Sequence, residues 1–177
     1  MNRRTFHKLA SAAAAAAIAE GTGLADATGA EVVIEDRDQL VAFDKKSGAL
    51  TRLARKKGNW VVECRPELGV SFRLLAPLPR QRANFVLGQK QTAATVERLS
   101  DTQVRIVWND PVSEHDGVVP LTLTATATLS DGALTFNATL VNRSRLTIET
   151  VDYPYFGDFN PPTRKPRCMP SISGSAH

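Results

Sequence analysis

The 177-residue sequence has few of the residues that build metal and redox sites. It contains two cysteines and three scattered histidines, which cannot supply a disulfide framework or the four ligands of a structural zinc site. It also lacks a glycine-rich phosphate loop, a Cys-x-x-Cys pair and a haem-attachment motif. We therefore expect no cofactor.

An excess of one charge is absent as well. The chain has 22 basic and 18 acidic residues, a formal net charge of +4, and several of the basic residues lie at its two ends. A small charge placed in this way does not predict nucleic-acid binding. The hydrophobic share of 42% and the charged share of 23% are ordinary for a globular protein and predict one folded domain.

Paired arginines and a short apolar segment open the chain. Phe6 and Lys8 follow Arg3 and Arg4, and residues 9–19 are mostly alanine. This arrangement resembles a twin-arginine export signal, which implies the twin-arginine translocase as a partner. The apolar segment is shorter than the roughly 20 residues that a membrane-spanning helix needs, so we expect no transmembrane anchor.

Small residues stand where a signal peptidase would act. Ala25 and Ala27 occupy the two positions that the peptidase recognises, so we predict a signal peptide over residues 1–27, with cleavage after Ala30 as a second possibility. A core helix over residues 5–19 is the alternative, because alanine is the best helix former. Export places the protein in the periplasm or outside the cell.

From Glu31 onward, apolar residues recur at every second position, a pattern typical of strands. The clearest case is residues 119–129, which are joined to residues 133–141 through Asp131-Gly132. If these two residues form a tight turn, every inward residue of one strand faces an inward residue of the other. We predict that this hairpin buries the following side chains on one side: Leu123, Ala127, Phe136 and Leu140.

Nine further short strands are separated by turn-forming residues. Many short strands of this kind predict an all-β fold, an antiparallel two-sheet sandwich over residues 28–160, after the signal-peptide helix. Residues 161–177 are rich in proline and lack an apolar period, which indicates a tail or linker. The predicted strands are 31–36, 40–44, 49–54, 60–64, 70–75, 84–89, 94–99, 103–109 and 146–153, the last with a bulge near Glu149-Thr150.

Three short motifs, well separated in the sequence, resemble those of a known family. They are the turn Asp44-x-x-Ser47-Gly48-x-Leu50, then Asn142-Arg143-Ser144, and a strand that ends at Tyr153-Pro154. Over residues 31–159 this order resembles the N-terminal β-supersandwich domain of large glycoside hydrolases, which is similar to the galactose mutarotase fold. The resemblance implies a carbohydrate-associated domain.

In those enzymes, a catalytic (β/α)₈ barrel of roughly 250 residues follows the sandwich. Residues 161–177 cannot form one, and the sequence has no motif onto which the catalytic His and Glu of the mutarotases can be carried. A truncated reading frame or a lone accessory domain would explain both observations. We expect this chain not to be catalytic by itself.

Acidic residues cluster in one predicted loop. Asp110, Glu114 and Asp116 bring carboxylate oxygens to residues 110–117, and hard oxygen ligands suit Ca²⁺ or sugar hydroxyls. The loop is therefore a candidate metal or sugar site, and a solvated hairpin loop is the alternative.

Aromatic residues beyond the last strand suggest a second candidate site. Tyr155 and Phe156, with Asp158 close by, could offer a glycan an apolar platform beside a hydrogen-bond acceptor. Trp108, by contrast, lies on the same side of its predicted strand as Val104 and Ile106, so we expect it in the core. Cys64 could pair with Cys168 in an oxidising compartment or remain a free buried thiol.

Three functions follow from these observations. The first is an exported, non-catalytic carbohydrate-associated sandwich, the N-terminal part of a glycoside-hydrolase-like protein. The second is a structural or protein-binding β-sandwich of the cell envelope, and the third is a complete small hydrolase.

Overall fold

The computed structural model describes residues 29–58, 60–63, 71–93 and 95–156. This part of the chain consists of thirteen antiparallel strands, their connections and a single 3₁₀ turn at Gly88–Lys90. The strands are β1 (Glu31–Glu35), β2 (Gln39–Asp44), β3 (Leu50–Arg55), β4 (Trp60–Glu63), β5 (Ser71–Leu75), β6 (Phe85–Leu87), β7 (Thr95–Ser100), β8 (Gln103–Asn109), β9 (Val112–Ser113), β10 (Gly117–Val118), β11 (Leu121–Ser130), β12 (Ala133–Asn142) and β13 (Thr150–Tyr155).

The strands form three sheets and a small hairpin. One four-stranded sheet has the order β1-β2-β3-β4, a second has the order β12-β11-β8-β7, and a three-stranded sheet has the order β13-β5-β6. Among the described strands, the short β9 and β10 pair with each other and with no third strand. The inner faces of the sheets share one hydrophobic core, so the predicted antiparallel sandwich is confirmed.

The core is centred on Trp108 of β8. Its indole is fully buried, and its ring centroid lies 4.9 Å from that of Phe72 on β5 in an edge-to-face arrangement. The indole nitrogen donates a hydrogen bond of 2.9 Å to the backbone oxygen of Ser47, in the β2–β3 connection. One side chain therefore joins β8 to both of the other sheets.

The predicted β11–β12 hairpin is confirmed in register. Leu129 pairs with Leu134, and Ala127 pairs with Phe136. Asp131 and Gly132 both have positive φ, +51° and +75°, as a two-residue turn of the primed type requires. Turn chemistry and apolar alternation therefore select the same pairing.

Burial along this hairpin differs from the prediction on one strand. Leu123 and Ala127 of β11 are fully buried, but Phe136 and Leu140 of β12 are only half-buried. The reason is position, because β11 lies between two strands while β12 is the outermost strand of its sheet. The predicted inward side of β12 therefore packs against the core, but its side chains are only partly buried.

The predicted last strand is also corrected. β13 begins at Thr150 rather than at residue 146, and its register shift falls between Asp152 and Tyr155 rather than near Glu149. The residues before it form a turn held by Asn142, whose side-chain oxygen accepts a hydrogen bond of 2.9 Å from the backbone nitrogen of Ser144. Local side-chain bonds of this kind compete with strand pairing.

Candidate functional site

A groove of about 880 Å³ opens where three connections meet. Its lining comes from residues 77–81 between β5 and β6, from Asp116 between β9 and β10, and from residues 145–147 and Glu149 between β12 and β13. A volume of this size lies in the range of small-ligand sites, about 300–1,000 Å³. The groove is therefore the main candidate for a binding site.

Buried Asn84 holds two walls of the groove together. Its side-chain nitrogen donates a hydrogen bond of 2.8 Å to the backbone oxygen of Ala76, and its side-chain oxygen accepts one of 3.0 Å from the backbone nitrogen of His115. The third wall is attached where the backbone nitrogen of Glu149 donates to the backbone oxygen of Leu75 at 2.9 Å. The groove is thus a fixed feature of the fold.

Apolar and hydrogen-bonding groups share the lining. Pro77, Leu78 and Leu146 contribute apolar surface, while Gln81 and Thr147 contribute an amide and a hydroxyl. Such a mixture suits a ligand that has both carbon–hydrogen faces and polar groups.

Charged groups add donors and acceptors to the same groove. Arg145 pairs with Asp116 at 3.3 Å, and Arg82 pairs with Glu149 at 2.9 Å. Arg80 is exposed, and no carboxylate among the described residues forms a salt bridge with it. Its guanidinium is therefore open to a ligand.

The three carboxylates predicted as a metal site have separate cationic partners. Asp110 lies 3.3 Å from Arg143, and Glu114 lies 3.2 Å from Lys90, while Asp116 is the partner of Arg145. In the part of the chain that the structure describes, no three acidic, histidine or cysteine side chains gather at one point. Asp116 is the member of the predicted trio that lines the groove.

The predicted aromatic platform is partly occupied by an arginine. The guanidinium carbon of Arg73 lies 4.7 Å from the ring centroid of Tyr155 and 5.6 Å from that of Phe85. Arg73 also forms a salt bridge of 2.8 Å with Asp152. This cation–π arrangement covers one face of the half-buried Tyr155 ring.

The neighbouring aromatic residues leave little room for a sugar. Phe156 is 45% exposed, and its ring packs edge-on against Phe136 with 5.8 Å between centroids. The cleft beside Tyr155 and Phe156 measures about 10 Å³, the room of about one water molecule. Burial raises the pKa of the nearby Tyr153 hydroxyl above its usual range, so this hydroxyl stays protonated. Asp158, the third predicted residue, lies outside the described residues.

Sequence reasoning missed most of the groove. The available signal was the segment Pro77-Leu78-Pro79-Arg80-Gln81-Arg82, where two prolines and two arginines separate predicted strands. Arg73 was missed too, although a lone charge in the apolar strand β5 was visible. The role of Arg73 is visible only in the structure, where β13 places Asp152 opposite it.

Other sequence predictions fall on residues that the structure does not describe. These are the export residues Arg3, Arg4, Phe6 and Lys8, the cleavage positions Ala25 and Ala27, both cysteines and the predicted tail. Among the described residues, no helix is long and apolar enough to span a membrane.

No protein-family model and no curated protein matches this chain. A proposal of function is therefore argued from the groove and its side chains, together with the resemblance in the sequence.

Proposed function

We propose that this chain is an exported, non-catalytic β-sandwich module that binds a glycan in the groove beside Arg80. The observation that carries the proposal is a fixed groove of about 880 Å³ with apolar and hydrogen-bonding groups in one lining. A sugar ring presents an apolar face together with hydroxyls, so both kinds of group are needed to hold it. The resemblance to the N-terminal domain of glycoside hydrolases supports the same ligand class.

The charged residues of the groove indicate which class of glycan it should bind. Asp116 and Glu149 can accept hydrogen bonds from sugar hydroxyls, while the guanidinium of Arg80 can take a carboxylate in a bidentate manner. We therefore expect oligosaccharides that contain uronic acid to bind more tightly than neutral oligosaccharides of the same length.

The test of glycan binding is calorimetric titration of the full chain with neutral and uronic-acid-containing oligosaccharides. An open groove covers only part of its ligand, so the dissociation constant should be on the order of micromolar to millimolar. Arg80→Ala should weaken binding about tenfold, because one charge-assisted hydrogen bond is worth roughly 1.4 kcal/mol or more.

Two further variants make this titration specific. Arg37→Ala removes an arginine that is 86% exposed and absent from the groove lining, so it should bind as the unmodified chain does. Tyr155→Ala tests the aromatic platform. Loss of binding in Tyr155→Ala but not in Arg80→Ala would move the site to Tyr155, and no binding to any oligosaccharide at millimolar concentration would contradict the proposal.

Export is tested with a fusion of residues 1–30 to a folded reporter protein. Arg3→Lys with Arg4→Lys keeps the positive charge but removes the pair that the twin-arginine receptor recognises, so the reporter should remain inside the cell. The unchanged fusion is the control. If the double variant is still exported, the general secretory route replaces the twin-arginine route in this proposal.

The second candidate function is a structural or protein-binding sandwich. The outer edge of β12 favours it, because no strand of the described residues pairs there. A (β/α)₈ barrel encoded in frame after residue 177 would support the glycoside-hydrolase-like protein, and unrelated sequence there would favour this second function.

A further inference from the structure

The outer edge of β12 is the least protected sheet edge among the described residues. β12 is a ten-residue strand without a charged residue or a proline, and it pairs with β11 without a register shift. Proteins usually protect an exposed edge strand from pairing with another chain by charged residues, proline, bulges or a short strand length. An edge strand with none of these features is available to pair with another strand.

Every other long edge strand of the three sheets has such a feature. β1 carries Glu31 and Glu35, and β7 carries Glu97 and Arg98. β13 has a register shift and contains Pro154. The remaining edge strands, β4 and β6, have four and three residues. β12 is therefore the exception in the described part of this fold.

Backbone groups of β12 point at this open edge. Beyond its end, the nitrogen of Arg143 donates to the backbone oxygen of Pro120 at 2.9 Å, so odd-numbered residues of this segment hydrogen-bond to the neighbouring strand. In an antiparallel pair the bonded and outward residues alternate. The N–H and C=O groups of the even residues 134–142 therefore face outward in the plane of the sheet.

The inward side chains at this edge are incompletely covered. Leu134, Phe136 and Leu140 are half-buried, and Ala138 is exposed, while the residues opposite them on β11 are almost fully buried. The apolar surface and the unpaired backbone groups thus lie along the same ten residues.

We propose that β12 pairs antiparallel with β12 of a second copy of this chain, around a twofold axis at Asn137. In this register Leu134 lies opposite the partner's Leu140, and Phe136 lies opposite the partner's Ala138. At the centre a large side chain then meets a small one, and every inward residue from 134 to 140 meets an inward residue. The two four-stranded sheets join into one continuous sheet.

The solvent-facing residues fit the same axis. Thr135 lies opposite the partner's Thr139, which is a favourable cross-strand pair. Asn137 lies opposite its own counterpart, so no like charges meet at the axis. A register shifted by one residue would set inward residues against outward ones. A shift of two residues in one direction would place Leu134 opposite the polar Asn142. The same shift in the other direction would set Phe136 against its own counterpart and leave Leu140 opposite Gly132 of the turn. The edge is thus complementary to itself in one register.

Sedimentation equilibrium of the full chain tests this proposal, which does not depend on glycan binding. The chain should be a dimer at concentrations of about 100 µM and dissociate on dilution, because one strand pair is a small interface. Asn137→Lys should make it monomeric, since two lysines would meet at the axis. Thr95→Lys adds the same charge to an exposed residue of β7 at the opposite edge of the sheet, and this control should remain dimeric.

Two further variants locate the axis and the edge. Asn137→Asp should also be monomeric alone, but an equal mixture with Asn137→Lys should regain the dimer, because opposite charges then meet. Ala138→Pro removes an outward N–H and spares the bonds to β11, so it should abolish the dimer while circular dichroism keeps its strand signal. A monomer at about 100 µM, or a dimer that Asn137→Lys leaves intact, would overturn the proposal.

Discussion

Replacing Gly48 with alanine is expected to lower the free energy of unfolding by about 2–5 kcal/mol. Gly48 has a φ of +71°, and a Cβ atom there would lie 2.6 Å from Cγ2 of Ile106 and 2.7 Å from Cζ2 of Trp108. Both neighbours are fully buried and cannot move away without disturbing the core. Urea denaturation followed by circular dichroism measures the loss.

Gly117→Ala is the matched control for this prediction. Gly117 has a φ of +70° but no heavy atom within 4 Å of the added Cβ, so only the backbone strain remains, about 1–2 kcal/mol. The difference between the two variants isolates the contact with β8. Equal losses in both would mean that the core relaxes around the methyl group added at Gly48 and that close packing of the turn is unimportant.

The turn that contains Gly48 shows what the residues of the Asp44-x-x-Ser47-Gly48 pattern do in this structure. The carboxylate of Asp44 accepts hydrogen bonds of 2.7 Å from both the backbone nitrogen and the hydroxyl of Ser47. The backbone oxygen of Ser47 accepts the bond from Trp108. Each fixed position of the Asp44-x-x-Ser47-Gly48 pattern therefore has a structural role in this chain, which is to seat the β2–β3 connection on the core.

Local patterns were sufficient to predict the β11–β12 hairpin. Its register depends on a two-residue turn and on a period of two, and both are properties of neighbouring residues. The same pattern does not show which strand lies at the edge of a sheet. Leu134, Phe136 and Leu140 alternate as regularly as the residues of β11, yet they are incompletely covered because no further strand of the described residues pairs with β12.

The groove could not be predicted from local patterns. Its walls come from three connections far apart in the chain, and the salt bridge between Arg82 and Glu149 joins residues 67 positions apart. Each connection alone resembles a solvated loop. The acidic loop shows the converse. Asp110, Glu114 and Asp116 are close in sequence, but each pairs with a different cation, and these cations lie on two separate segments.

The second large effect is expected for Phe72→Ala. The ring of Phe72 is fully buried and contacts Trp108 edge-on, so its removal leaves a cavity in the middle of the sandwich. The free energy of unfolding should fall by about 3–5 kcal/mol. Thermal and urea denaturation of the full chain measure this loss, which should appear as an earlier midpoint with an unchanged dependence on urea concentration.

Phe136→Ala provides the comparison, since it removes the same side chain from a half-buried place. Part of the apolar area of Phe136 stays in contact with water, so the loss should be about 1–2 kcal/mol, less than for a fully buried phenylalanine. Both variants should be measured at about 1 µM protein, where the proposed dimer is dissociated. At higher concentration a second copy would cover Phe136, and the loss in Phe136→Ala should then grow while that in Phe72→Ala stays constant. Equal losses at low concentration would show that β12 is already covered in the single chain, and the argument from its open edge would fail.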